Sequence, residues 1–188
     1  MISENILSKI KISVVLLSLL SCSTPNKDWS KMTTKDIVKS LSDQKVNIPA
    51  DLLIVNDKEL GSFDSIDLSE SKLKIFSLIS GDCEKCISNI NLWDEIIQEI
   101  NSQKNVKIYL VILTTDPEFF IERYLPEINT LSSILIDKDY NFLKINDFPP
   151  YKRFQTFLLN DNDEIILVGD PFYNDKSMKL YINTIRNY

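Results

Sequence analysis

Histidine is absent from all 188 residues, and no other gap in the composition excludes as much chemistry. Without imidazole there is no Ser-His-Asp or Cys-His catalytic pair, and no His-ligated zinc, copper or haem site. Proton transfer is left to carboxylates, lysine, tyrosine, thiols and water. Basic runs are missing too, and a net charge of −6 gives the whole chain a field that repels nucleic acid. No internal repeat or low-complexity segment occurs. Cysteine is scarce: Cys22, Cys83 and Cys86, an odd number that leaves one thiol to explain in an exported chain. What remains is globular in composition, 44% apolar and 26% charged. It suits one domain of about 100–150 residues with short appendages.

The N-terminus explains the odd thiol. Lys9 and Lys11 precede an apolar stretch, Ile12–Leu20. As a helix that stretch spans only about 14 Å, against about 30 Å of bilayer hydrocarbon. It is too short to cross a membrane and has the length of a signal-peptide core. It ends in Leu19-Leu20-Ser21-Cys22, which resembles the bacterial lipobox. That resemblance implies cleavage before Cys22 and lipidation of its sulfur, and two or three acyl chains anchor a protein stably. An ordinary secretory signal with a chance cysteine, or an amphipathic anchor, are the alternatives; either secretory reading exposes the mature chain to an oxidising compartment. The organisation expected is therefore a signal peptide over 1–21, a lipidated tether over 22–50 and a folded domain over 51–188. Loss of Lys9, Lys11 and Glu4 with the signal leaves the mature protein slightly more acidic. Within the tether, Thr34 is a candidate cap for a short helix that puts Ile37, Val38 and Leu41 on one face.

From Leu52 onward strands and helices alternate. Residues 51–57 read as a short strand closed by turn residues, Leu73–Ser80 as a buried one, and Val106–Leu113 as a β-branched one. Ile87, Ile90, Trp93, Ile97 and Ile100 recur at helical spacing, predicting one helix from Cys83 to Gln103. Asp116-Pro117 is a strong helix start, opening a segment whose Phe119, Phe120 and Tyr124, like Trp93, are expected in the core. A strand over 132–136, a short helix over 140–145, a hairpin of 154–159 with 164–168, and a terminal helix through Met178, Tyr181, Ile182 and Ile185 complete the order. Strand–helix alternation implies parallel βαβ units, and the hairpin adds antiparallel strands. The acidic residues Asp137, Asp139 and Asp161 to Glu164 lack the twelve-residue calcium-loop pattern and are expected in solvated turns.

Cys83-Glu84-Lys85-Cys86 opens the helix that follows the first long buried strand. Side-chain roots three residues apart in a helical turn lie about 5–6 Å apart, within reach of a disulfide. A sulfur at a helix start meets unpaired amides that favour the thiolate, the form that attacks disulfides. Cys86, one turn inside, is expected to be less accessible. Glu84 and Lys85 pull the thiol pKa in opposite directions, so the couple's direction stays open.

These residues, with Ile75–Cys86, Ile134–Asp137 and Thr156–Ile165, resemble the TlpA-like branch of the thioredoxin superfamily over about residues 52–188. The resemblance implies a thioredoxin-like three-layer α/β/α sandwich with a mixed central sheet. It also implies a thiol-disulfide oxidoreductase without cofactor or metal, in which Cys83 is the nucleophile and Cys86 the resolving thiol. Its partners would be exported thiol or disulfide proteins and an electron donor in the membrane or envelope. Its place would be the bacterial cell envelope, lipid-anchored through Cys22 with the domain facing the periplasm, and no nucleic acid is expected.

Three positions depart from the family pattern. Asp82 stands where tryptophan is common, Ser77 where a buried carboxylate often relays protons, and Phe154-Gln155 where a cis-proline precedes Thr156-Phe157-Leu158. A cis bond without proline costs about 2.5–4 kcal/mol, so a trans, rebuilt loop is expected there. A peroxidase variant is disfavoured by Phe76 and Ser80, copper-carrying relatives by the lack of histidine, and a zinc site by the lack of a second pair. A static disulfide in a lipid-anchored binding or assembly module is the competing reading. Its closed loop is so short that the chain-entropy gain is small, which argues for chemistry.

Overall fold

Period-two alternation sorts the apolar residues of the long strands onto two faces, and each face gathers its own helices. The structure is a computed structural model, which describes residues 27–56, 59–63, 71–100 and 106–188. Seven strands are described: β1 (Leu53–Asn56), β2 (Glu59–Ser62), β3 (Leu73–Ser80), β4 (Val106–Leu113), β5 (Ser133–Asp137), β6 (Thr156–Leu159) and β7 (Ile165–Val168). They form one mixed sheet in the order β2-β1-β5-β4-β3-β6-β7. The β3–β4 and β4–β5 pairs are parallel, and the others antiparallel. The parallel centre has buried strands, as sheets covered on both faces do.

On one face Phe76, Leu78, Tyr109, Val111, Phe157 and Leu159 pack under α1 (Thr34–Leu41) and α5 (Asn141–Ile145). On the other, Ile75, Ile79, Leu110, Ile112 and Leu158 meet α2 (Glu84–Ser88), α3 (Trp93–Ile100), α4 (Pro117–Arg123) and α6 (Asp175–Asn187). The first face is rich in rings: Phe76 stacks on Tyr109 at 4.8 Å and Phe148 on Phe157 at 4.3 Å between centroids. Each such side chain contributes about 1.5–3 kcal/mol on burial. On the second face Tyr181 is fully buried and its hydroxyl donates to Gly169 O at 2.7 Å. Burial, with Asp170 second, pushes its pKa well above the usual tyrosine value, so it remains a donor.

Residues 27–49, within the stretch assigned to the tether, carry Trp29, Ile37, Leu41 and Val46 into the first core. The helix predicted there is α1, capped by Thr33 rather than Thr34: Thr33 Oγ1 accepts from Asp36 N while Asp36 Oδ2 accepts from Thr33 N. This reciprocal pair is a capping box, which needs the acidic residue three positions after the cap. Beyond α1 the chain pairs with β7, Asp43 N donating to Ile165 O at 2.9 Å and Ile165 N to Gln44 O at 3.0 Å.

Three further expectations are corrected. The helix predicted over Cys83–Gln103 is broken into α2, a 3₁₀ turn over Ile90–Leu92 and α3; residues 101–103 lie outside the described residues. Ile87, Ile90 and Trp93 are spaced by three, and a tighter turn of three residues keeps all of them inward. Phe119 is 50% exposed while Phe120 is buried, because adjacent helix positions point about 100° apart. Asp137 is buried at the end of β5, not in a solvated turn: its carboxylate accepts from Asn141 N at 2.9 Å and Phe142 N at 2.8 Å, opening α5. Asp116 caps α4 as expected, accepting from Phe119 N at 3.0 Å.

Candidate functional site

Where β3 ends, Gly81 presses the chain against β4. Its N–H donates to Leu113 O at 2.8 Å, and a Cβ added there would lie 2.7 Å from Thr114 Cβ and 3.0 Å from Ile112 Cγ2. Both obstacles belong to buried β-branched side chains, so the close approach requires glycine. Gly81→Ala is therefore expected to cost about 1–3 kcal/mol in urea unfolding by overpacking. An unchanged midpoint would show that the strand end yields freely.

Two residues later Cys83 takes an extended conformation (φ −113°, ψ 96°) and becomes the N-cap of α2. Its carbonyl accepts from Ile87 N at 3.0 Å, and its sulfur accepts from Cys86 N at 3.2 Å. The expected placement holds: strand, short turn, Cys83 at the helix start, Cys86 in the first turn. The two cysteines form a disulfide, with Cα atoms 5.1 Å apart. Both residues are half-buried, so the expected difference in accessibility is not pronounced. Their surroundings do differ. Cys86 packs on the second core and borders a cavity of about 50 Å³ with Ser77, Asn89, Trp93, Lys152 and Asp170 on its walls.

Ser77, at the position where the family pattern often has a carboxylate, has its hydroxyl 3.0 Å from Thr156 Oγ1 on the paired strand β6. It offers a neutral hydroxyl to the cavity and no base. Tyr140, just before α5, takes a left-handed conformation (φ 57°). Burial raises its pKa above the usual tyrosine value, with Asp82 and Asp137 adding to the effect.

The loop before β6 is rebuilt as expected. The described residues contain no cis peptide bond, and Lys152–Phe154 form a 3₁₀ turn. Phe154 is buried with the Arg153 guanidinium 4.7 Å from its ring centre, and Gln155 O accepts from Leu78 N at 2.8 Å, extending the β3–β6 ladder. This turn brings in a residue that sequence reasoning missed: Lys152 Nζ lies 3.3 Å from Cys86 Sγ. The only available signal was the Lys152-Arg153 pair just before the Thr156 strand. Cys22, the third candidate, lies outside the described residues. No described helix is long and apolar enough to cross a membrane, and no cluster of three metal-ligating side chains occurs among the described residues.

No protein-family model matches the chain, and no curated protein does. Solved structures do. An uncharacterized thioredoxin-like protein from Porphyromonas gingivalis superposes with a TM-score of 0.55 at 14% identity, over 77% of this chain and 92% of that one. A provisionally named thiol:disulfide interchange protein DsbE from Chlorobium tepidum gives 0.56 at 11%, over 77% and 99%. The C-terminal domain of a provisionally named thiol-disulfide oxidoreductase from Bacteroides thetaiotaomicron gives 0.54 at 17%, over 79% and 98%. Sheet order, layering and these superpositions agree: the chain has the thioredoxin-like fold, with a Cys83–Cys86 disulfide where its first long central strand gives way to a helix.

Proposed function

We propose that the protein is a membrane-anchored thiol-disulfide oxidoreductase that acts on protein disulfides in the bacterial cell envelope. One observation carries the reading: the disulfide-paired, half-buried Cys83 and Cys86 stand at the opening turn of α2, with a backbone amide already aimed at Cys83 Sγ. When the pair is reduced, that amide favours the Cys83 thiolate, the attacking form. Cys83 attacks a partner disulfide, and one partner sulfur leaves as a thiolate while a mixed disulfide forms. Cys86 then attacks Cys83 Sγ, expelling the second partner thiol and closing Cys83–Cys86. Two electrons pass to the partner; the reverse sequence passes them back. The thioredoxin-like fold and the names borne by its structural neighbours support this reading. The lipobox-like Leu19–Cys22 supports lipid attachment at Cys22 and a periplasmic domain.

A binding module with a static disulfide is the second reading, favoured by the buried Phe154 and the laddered Gln155 carbonyl in the rebuilt loop. Trapping separates the two. Cys86→Ser, expressed in a bacterial envelope, is expected to accumulate reductant-sensitive adducts of higher mass, because the mixed disulfide cannot be resolved. Cys83→Ser/Cys86→Ser should accumulate none. Equal adduct levels in the two strains reject the enzyme reading.

A further inference from the structure

Among the described residues a single ammonium touches the redox pair, and it touches the inner sulfur. Lys152 Nζ stands 3.3 Å from Cys86 Sγ, and among the described residues it forms no ion pair. The 3₁₀ turn that holds it is fixed by the burial of Phe154 and by Phe154 N→Tyr151 O and Gln155 N→Lys152 O bonds of 2.9 and 3.1 Å. The other charged groups around the pair are placed differently. Asp82, Glu84 and Lys85 are exposed before and between the cysteines. Arg153 is turned onto the Phe154 ring, and Asp170, across the cavity, is engaged in capping Phe172 N at 2.9 Å. Ser77 contributes a neutral hydroxyl.

We infer that Lys152 holds Cys86 as a thiolate once the disulfide opens, and that it thereby poises the pair to accept electrons from dithiols of exported proteins. The inference rests on the redox reading above and fixes its direction. A substrate thiolate attacks Cys83 Sγ, the Cys83–Cys86 bond breaks, and Cys86 leaves with the electron pair. A second substrate thiolate then attacks the substrate sulfur of the mixed disulfide. The substrate disulfide forms, and Cys83 leaves as a thiolate. The substrate dithiol is oxidised, and Cys83 and Cys86 are reduced. A cation beside the leaving sulfur lowers its pKa, which speeds departure, and it stabilises the reduced state, which raises the reduction potential.

The test uses the full chain in detergent, equilibrated in glutathione redox buffers, acid-quenched, alkylated and weighed by mass spectrometry. Lys152→Met is expected to shift the reduced-to-oxidised ratio roughly threefold to tenfold toward the disulfide, since a charged contact at an exposed rim is partly screened. A tenfold shift corresponds to about 30 mV. Lys152→Arg should retain most of the wild-type ratio, and 1 M salt should shrink the difference. In a Cys83→Ser background, the pH midpoint for Cys86 alkylation should rise on Lys152→Met. Wild-type ratios in Lys152→Met, or an unmoved Cys86 midpoint, overturn the inference. A shifted ratio in a protein that traps no partner upholds the hold of Lys152 on the Cys86 thiolate while sinking the proposed activity and, with it, the electron transfer from exported dithiols.

Discussion

Cys83→Ser is expected to reduce catalysis of insulin-disulfide reduction by the full chain, assayed in detergent with dithiothreitol, on the order of a hundredfold or more, leaving only the uncatalysed rate. A serine hydroxyl neither ionises near neutral pH nor forms a disulfide, so neither the mixed disulfide nor its resolution is available. The substitution is mild for the fold. Serine is a favoured N-cap residue and can accept from Cys86 N as the sulfur does. Losing a disulfide that spans a sequence separation of three costs about 2 kcal/mol at most, and dithiothreitol opens that bond in the wild-type protein as well. Activity should therefore collapse while the reduced proteins melt alike. Cys86→Ser should behave differently, still attacking a disulfide once and then stalling. Equal rates for wild type and Cys83→Ser would mean that the pair is structural.

The outline of this site was legible because its determinants are local. Leu73–Ser80 and Val106–Leu113 are mostly apolar runs of strand length, the second rich in β-branched residues, and both strands fall on those residues. Cys83 could be placed at a helix start because Gly81-Asp82 breaks the strand just before it. What was not legible depends on contacts distant in sequence or on conflicts between neighbours. The strand β2 is four residues long, contains Glu59 and Gly61, and exists through its pairing with β1. The helix after Cys83 shows a continuous apolar period, which hides the break at Asn89 because a 3₁₀ turn preserves a spacing of three. Phe119 and Phe120 both look like core, but one helix face accepts only one of them. Lys152 lies 66 positions from Cys86 and meets it only because burial of Phe154 shapes the intervening turn. Lys74 was hidden by the strand itself, since a lone charge in a buried run gives no sign of its partner.

That partner is Asp163, and removing its charge should produce the largest loss of stability among the substitutions considered. Lys74 sits in β3 between Leu73 and Ile75, its side chain 2% exposed, with Nζ 2.5 Å from an Asp163 oxygen in the β6–β7 turn. Asp163→Asn deletes the charge but keeps the shape, and asparagine tolerates the left-handed backbone found there (φ 64°). The turn's main-chain bonds, Asp163 N to Asn160 O and Val46 N to Asp163 O, do not depend on the carboxylate. The variant instead strands a buried ammonium, which costs about 3–5 kcal/mol in a closed interior. Because the Asp163 side chain is 29% exposed, water can reach the pair's outer end, and about 2–4 kcal/mol is expected. Thermal unfolding of the reduced protein should then fall by about 4–16 °C. Lys74→Met has the opposite logic. It leaves a carboxylate that can turn toward solvent and puts a flexible apolar chain among Phe76 and Leu159, so it should cost less than about 1.5 kcal/mol. Adding Asp163→Asn to Lys74→Met should cost almost nothing further, and that non-additivity measures the pair's coupling. Should Asp163→Asn unfold at the wild-type temperature, the ammonium must have another escape from the interior, and the strand would not need its acid.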